Sequence, residues 1–231
     1  MRDAQPLLPQ LSTRRSAIIT SVDWLFEPAW RGERLLARLE AGGVRVSDRS
    51  GEPVGPELDE VAQVLSSAID ADAAVLDGIW TAQPFIGAGS AAQHLAEAQE
   101  AAGLADELPD PIERETRRAY VAVDLLELDG VELLDVPYQE RRRLLESVVD
   151  ENVRVRVTPA VRIPTQHWFA AWRASGFTHC VAKEVNSRYL PGEVNADWLE
   201  MAIEPERGPS ATSRLFGMRG PKKARIDNRS R

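Results

Sequence analysis

The chain has 231 residues, 43% hydrophobic and 28% charged, enough for one large domain or two small ones of ordinary globular composition. It carries a net charge of −8 and a single cysteine, Cys180, and no apolar run reaches the roughly 20 residues of a membrane span. Those features exclude an internal disulfide framework, a cysteine-based zinc cluster and a helical membrane anchor. MRDAQPLLPQLSTRR at the N-terminus lacks an apolar signal core, so cytoplasm is the expected compartment.

In chain order, residues 1–23 read as a lead-in without periodicity. WLFEPAW from Trp24 and RLLARLE from Arg34 read as two strands around a turn at Gly32, and Gly42-Gly43 as the turn of a second hairpin. Residues 57–71 place Leu58, Val61, Leu65 and Ile69 at the spacing of an amphipathic helix. AAVLDGIW (73–80) reads as a buried strand, and the alanine-rich 90–103 as a helix stopped before Pro109 and Pro111. YVAVDLLEL (120–128) is a strand leading into Asp129-Gly130, a type I′ hairpin signal. Pro137 opens a helix over YQERRRLLESVV, and VRVRVTPAV (153–161) alternates like a half-exposed strand. A short helix over 166–175 stops at Gly176, and strands follow at 180–185 and 198–203.

The hairpins favour an α+β fold of antiparallel sheets flanked by helices, spanning residues 1–205, over a doubly wound parallel sheet. Residues 206–231 read as a flexible basic tail. Eight basic residues and one acid fall in 207–231, which leaves 20 basic and 35 acidic residues before them, a net of −15. Such a body repels phosphate backbones, so DNA contact is expected from the tail, with Arg219, Lys222, Lys223 and Arg225 as candidates. His94, His167 and His179 have no metal-ligand spacing, and Cys180 reads as a buried apolar stand-in. The only lysines are Lys183, Lys222 and Lys223.

Six segments in order resemble the motifs of the adenylation domain of ATP-dependent DNA ligases. WLFEPAWRGERLLARL at 24–39 resembles the first motif, W-L-F-E-P-K-W-D-G-Y-R, and DRSG at 48–51 resembles S-R-N-G. VLDGIW at 75–80 resembles V-L-D-G-E, and residues 120–149 resemble the F-D-L-L-Y-L-D-G segment with its E-R-R helix. GFTHCVAKEVNSRYLPG at 176–192 resembles G-x-E-G-I-V-A-K-x-x-x-S-x-Y-x-P-G, and DWLEMA at 197–202 resembles D-W-L-K-x-K. The resemblance implies the nucleotidyltransferase fold shared with mRNA capping enzymes, ATP-grasp-like, here without the C-terminal OB domain that normally follows. In that family a lysine attacks the α-phosphate of ATP, carboxylates hold a divalent ion, and further lysines stabilise the phosphates.

At the matching positions this chain departs from the pattern. The nucleophile position is Ala29, and the aspartate two residues on is Arg31. The metal-site glutamates are Ile79 and Thr178, the adenine-stacking aromatic is Val123, and the last motif's two lysines are Glu200 and Ala202. Glu27, Arg34, Arg49 and Lys183 match nucleotide-contacting positions and are the binding candidates, with ATP or AMP as the expected ligand. Glu200 is expected to repel phosphate. The resemblance therefore implies a ligase-like pseudoenzyme with no catalytic or metal residue, scaffolding or regulating DNA repair beside a repair protein. The alternatives are a non-reactive nucleotide or DNA binding module and a divergent active ligase.

Overall fold

The computed structural model describes residues 6–15, 19–83 and 118–203. The alanine-rich segment 90–103, His94 and the basic tail with Arg219, Lys222, Lys223 and Arg225 lie outside the described residues. No helix among the described residues is long and apolar enough to cross a membrane.

Two sheets make up the fold. The first has β1 (Leu11–Arg14), β2 (Trp24–Pro28), β9 (His179–Glu184) and β10 (Val194–Ala202), in the order β1-β10-β9-β2. In the second, β3 (Glu33–Glu40), β4 (Gly43–Asp48), β5 (Ala74–Thr81), β6 (Ala119–Leu128) and β7 (Val131–Glu132) run in the order β4-β3-β5-β6-β7, and β8 (Val155–Val157) pairs with β6. Three helices flank them: α1 (Asp59–Ser66), α2 (Tyr138–Val148) and α3 (Gln166–Ala174). Pairing is antiparallel except between β1 and β10 and between β6 and β8.

Strand alternation divides each sheet into two faces. On the second sheet Leu35, Ala37, Leu76 and Trp80 enter one apolar cluster with Val61 and Leu65 of α1 and Leu145 and Val148 of α2. On the first sheet Phe26, Cys180, Ala182, Leu199 and Met201 pack with Trp172 of α3 and with Phe177. A third cluster, Leu36, Val75, Leu126, Tyr189 and Trp198, lies where the sheets' remaining faces meet. Helices thus cover the outer faces and leave a groove between the inner ones.

Several elements depart from the sequence reading, each for a local reason. β2 and β3 do not form a hairpin: β2 pairs with β9 and β3 with β4 and β5, so the chain changes sheets at Gly32. The lead-in contains β1, a strand too short and polar to show a period. α1 ends at Ser66, because Ala68 and Asp70 exchange backbone hydrogen bonds with Asp150 and Val148 at the end of α2. Only Val155–Val157 of the alternating 153–161 run is a strand; Val161 instead bridges to Phe26. The Asp129-Gly130 turn is as expected, with φ of 47° and 80°.

Gly78 is not a turn residue. It sits inside β5, where a Cβ would lie 2.3 Å from Cζ of the fully buried Tyr120 ring. That ring is held by its hydroxyl, which donates to the carbonyls of Leu76 (3.2 Å) and Leu35 (3.3 Å). Gly78→Ala is expected to destabilise the fold by about 1–3 kcal/mol through overpacking. Gly42→Ala has open space around its Cβ, and its urea midpoint should barely move; equal midpoints for the two variants would refute the steric account.

Candidate functional site

Register assembles the site from both sheets. Leu25 and Trp198 pair with Lys183, and Glu27 and Glu200 pair with Val181. Glu27, Lys183, Trp198 and Glu200 therefore share the inner face of the first sheet. On the second sheet Arg34 pairs with Ile79 and Leu36 with Asp77, so Arg34, Asp77 and Ile79 share its inner face. Between them lies an open groove of about 530 Å³. All four nucleotide-binding candidates, Glu27, Arg34, Arg49 and Lys183, line it, together with Ala29, Ile79, Val123 and Thr178.

The floor is a buried polar network. Glu27 and Lys183 are 2% and 1% exposed, and the Lys183 Nζ sits 3.1 Å from Glu27 Oε2. The same amine donates to the Val123 carbonyl at 2.8 Å and lies over the rings of Trp198 (4.2 Å) and Tyr138 (4.7 Å). Burial pushes this amine below its ordinary value, against the opposing pull of Glu27 and Asp124. The Tyr138 hydroxyl donates to Glu27 Oε1, and burial followed by the Glu27 charge raises that phenol well above its usual range. Both oxygens of Glu27, one of the four nucleotide-binding candidates, are thus engaged inside the protein.

Arg34 is also held. Its Nε and Nη2 donate to the two oxygens of Asp77 at 2.5 and 2.6 Å, and the Tyr189 hydroxyl donates to Asp77 Oδ2 at 2.7 Å. Burial works against the Arg34 charge, but Asp77 outweighs it and holds the guanidinium above its ordinary value. Deeper still, Arg141 and Asp124 are both fully buried and bond at 2.8 and 2.9 Å. Sequence reasoning missed Tyr138, Arg141 and Tyr189. The sequence reads YQERRRLLESVV as a helix with surface and core faces, and nothing in it shows that Arg141 turns inward.

The mouth is different. Arg49 is exposed, in a turn fixed by Asp48 Oδ1, which accepts from Ser50 N, Ser50 Oγ and Glu52 N. Hydrogen bonds from Ser50 hold the Asp48 carboxyl below its usual range. Arg31 is exposed on the β2–β3 connection and also lines the groove. Glu200, expected to repel phosphate, is offset by Arg14 of β1 at 3.4 Å, a partner hidden in the lead-in. The groove is not filled by Trp30, whose ring packs edge-on against Phe177 at 4.9 Å while its Nε1 donates to Thr158 Oγ1 at 2.9 Å.

Ala29 lies at the groove wall, its N–H donating to the His179 carbonyl at 3.0 Å. Lys183 is the lysine among the described residues, and it pairs with Leu25, four residues from Ala29 and so roughly 13 Å away along the strand. A divalent cation does not fit this donor set. Proteins usually anchor magnesium through one or two carboxylates, yet the family's two metal positions carry the Ile79 alkyl group and the Thr178 hydroxyl. No cluster of three or more His, Cys, Asp or Glu suited to a metal occurs among the described residues.

Comparison with known proteins agrees with the geometry. A family model described as the ATP dependent DNA ligase domain matches residues 6–201. The multifunctional non-homologous end joining protein LigD of Mycobacterium bovis is 30% identical over 93% of this chain and 28% of its own length. The ligase domain of M. tuberculosis LigD superposes with a TM-score of 0.63 at 30% identity, over 84% of this chain and 58% of that one. A mycobacterial DNA ligase D complexed with ATP and MES superposes with a TM-score of 0.61 at 30% identity, over 85% of this chain and 60% of that one. The chain thus spans less than a third of the length of the M. bovis LigD relative. With two facing sheets, a groove on the expected residues and a family match along nearly the whole described region, the chain belongs to the ATP-dependent DNA ligase domain family.

Proposed function

We propose that this domain is a catalytically silent member of the ligase family, acting as a scaffold or regulator in DNA repair. The observation that carries this reading is Ala29 on the groove wall. A methyl group has no lone pair to attack an α-phosphate. Lys183 does not stand in for the missing lysine. Its amine is enclosed by Glu27, the Val123 carbonyl and two aromatic rings, and is 1% exposed. The link to repair rests on relatives whose names assign them to non-homologous end joining.

Incubation with ATP and magnesium or manganese, followed by intact-mass measurement, is expected to leave the chain unmodified. A mass gain of one AMP that disappears in Lys183→Ala would make Lys183 the nucleophile and overturn the reading.

A second reading is favoured by the open groove: the domain holds an adenine nucleotide without reacting with it. Arg14, Arg31, Arg34 and Arg49 line the groove, and guanidinium groups bind phosphate well but cannot act as nucleophiles. The two readings are compatible, since a bound nucleotide can set the shape that a partner recognises. Contact between the basic 207–231 segment and DNA belongs to the same proposal and should weaken steeply with salt.

A further inference from the structure

Five cationic side chains line the groove, Arg14, Arg31, Arg34, Arg49 and Lys183, against two carboxylates, Glu27 and Glu200. Its lining is thus net positive within a chain of net charge −8. Both carboxylates are already neutralised, Glu27 by Lys183 at 3.1 Å and Glu200 by Arg14 at 3.4 Å. Arg34 is held by Asp77. Arg31 and Arg49 remain, exposed and without an ion-pair partner among the described residues. They reach the groove from two separate connections, the β2–β3 crossing and the turn after β4.

An independent observation points the same way. Trp198 lines this groove at 2% exposure, and its buried indole N–H has no acceptor among the described residues. An unmet donor beside the groove favours an acceptor, such as a phosphate oxygen, as the occupant. The groove does not lack a cation. A divalent ion entering here would meet guanidinium groups, the Ile79 alkyl chain and the Thr178 hydroxyl, and would find both carboxylates occupied.

We infer that the groove takes its nucleotide as the metal-free polyanion, with the Arg31 and Arg49 guanidiniums on phosphate oxygens where a divalent ion would otherwise sit. The inference rests on the nucleotide-binding reading above. It deepens that reading by reversing the expected role of magnesium. Guanidinium groups and magnesium seek the same phosphate oxygens, and magnesium also removes two negative charges from the ligand. Magnesium therefore competes with the groove for the phosphates.

The test is equilibrium dialysis of ATP against the full chain, once in EDTA and once in excess magnesium chloride. Binding is expected to be at least about tenfold tighter in EDTA. The double variant Arg31→Ala, Arg49→Ala should lose about tenfold of the EDTA affinity with an unchanged urea midpoint, because both side chains are exposed. Thr178→Glu, at an exposed position, should weaken binding in EDTA more than in magnesium. Tighter binding in magnesium, or affinity indifferent to the double arginine variant, would overturn the inference and leave nucleotide binding standing. Absence of binding in both buffers would overturn the nucleotide reading along with it.

Discussion

Arg141→Met is expected to destabilise the domain by about 3–5 kcal/mol, a large part of the roughly 5–15 kcal/mol that holds a typical domain together. Arg141 and its partner Asp124 are both fully buried. Methionine fills similar volume but leaves the Asp124 carboxylate without its hydrogen-bonded counter-charge in a low-dielectric interior. The guanidinium does more than neutralise. Its Nη1 donates to the carbonyls of Val136 and Ser187, and its plane lies 5.7 and 5.8 Å from the rings of Tyr138 and Tyr189. It thereby ties β6 of one sheet to the loop after β9 of the other. Urea denaturation checks this. A midpoint shift worth less than about 1 kcal/mol at constant slope would mean that the sheets hold together without it. Adding Asp124→Asn should recover part of the loss, because the amide oxygen can still accept from the Leu125 N–H.

Lys183→Met is expected to cost about 3 kcal/mol, because the Glu27 carboxylate, 2% exposed, then keeps only the Tyr138 hydroxyl and the more distant Arg142 Nη1 at 3.8 Å. The double variant Glu27→Gln, Lys183→Met should recover most of it, and failure to recover would place the cost in packing against Tyr138 and Trp198 instead. The pH dependence separates the charges. Burial holds the Lys183 amine below 10.5, so the unfolded chain binds that proton more readily than the folded one. Its contribution to stability therefore rises as pH increases toward 10.5, and Lys183→Met removes that rise.

These two clusters change what the retained family residues mean. Glu27, Arg34 and Lys183 keep the residue types of a nucleotide site, yet each is tied to another protein group: Glu27 to Lys183 and Tyr138, and Arg34 to Asp77. They act as structural parts of the groove as well as candidates for a ligand. The surplus cations at the mouth, Arg31 and Arg49, have no such second role among the described residues.

The family, the α+β class, the helix over Tyr138–Val148 and the strands 74–81 and 119–128 were all legible in the sequence. They rest on local periodicity, turn chemistry and residue identity, which need no coordinates. Glu27, Arg34, Arg49 and Lys183, named from distant segments by resemblance alone, all line one groove in the structure. Sequence could not say which of them are free. Whether Arg141 faces water or Asp124, whether Glu200 repels phosphate or meets Arg14, and whether β2 pairs with β3 or β9 are each decided by partners over 15 residues away or in the other sheet. A helix or strand pattern fixes which side of an element is apolar. The charge state and availability of a polar side chain depend on what lies opposite it, and only the tertiary structure brings that opposite wall into place.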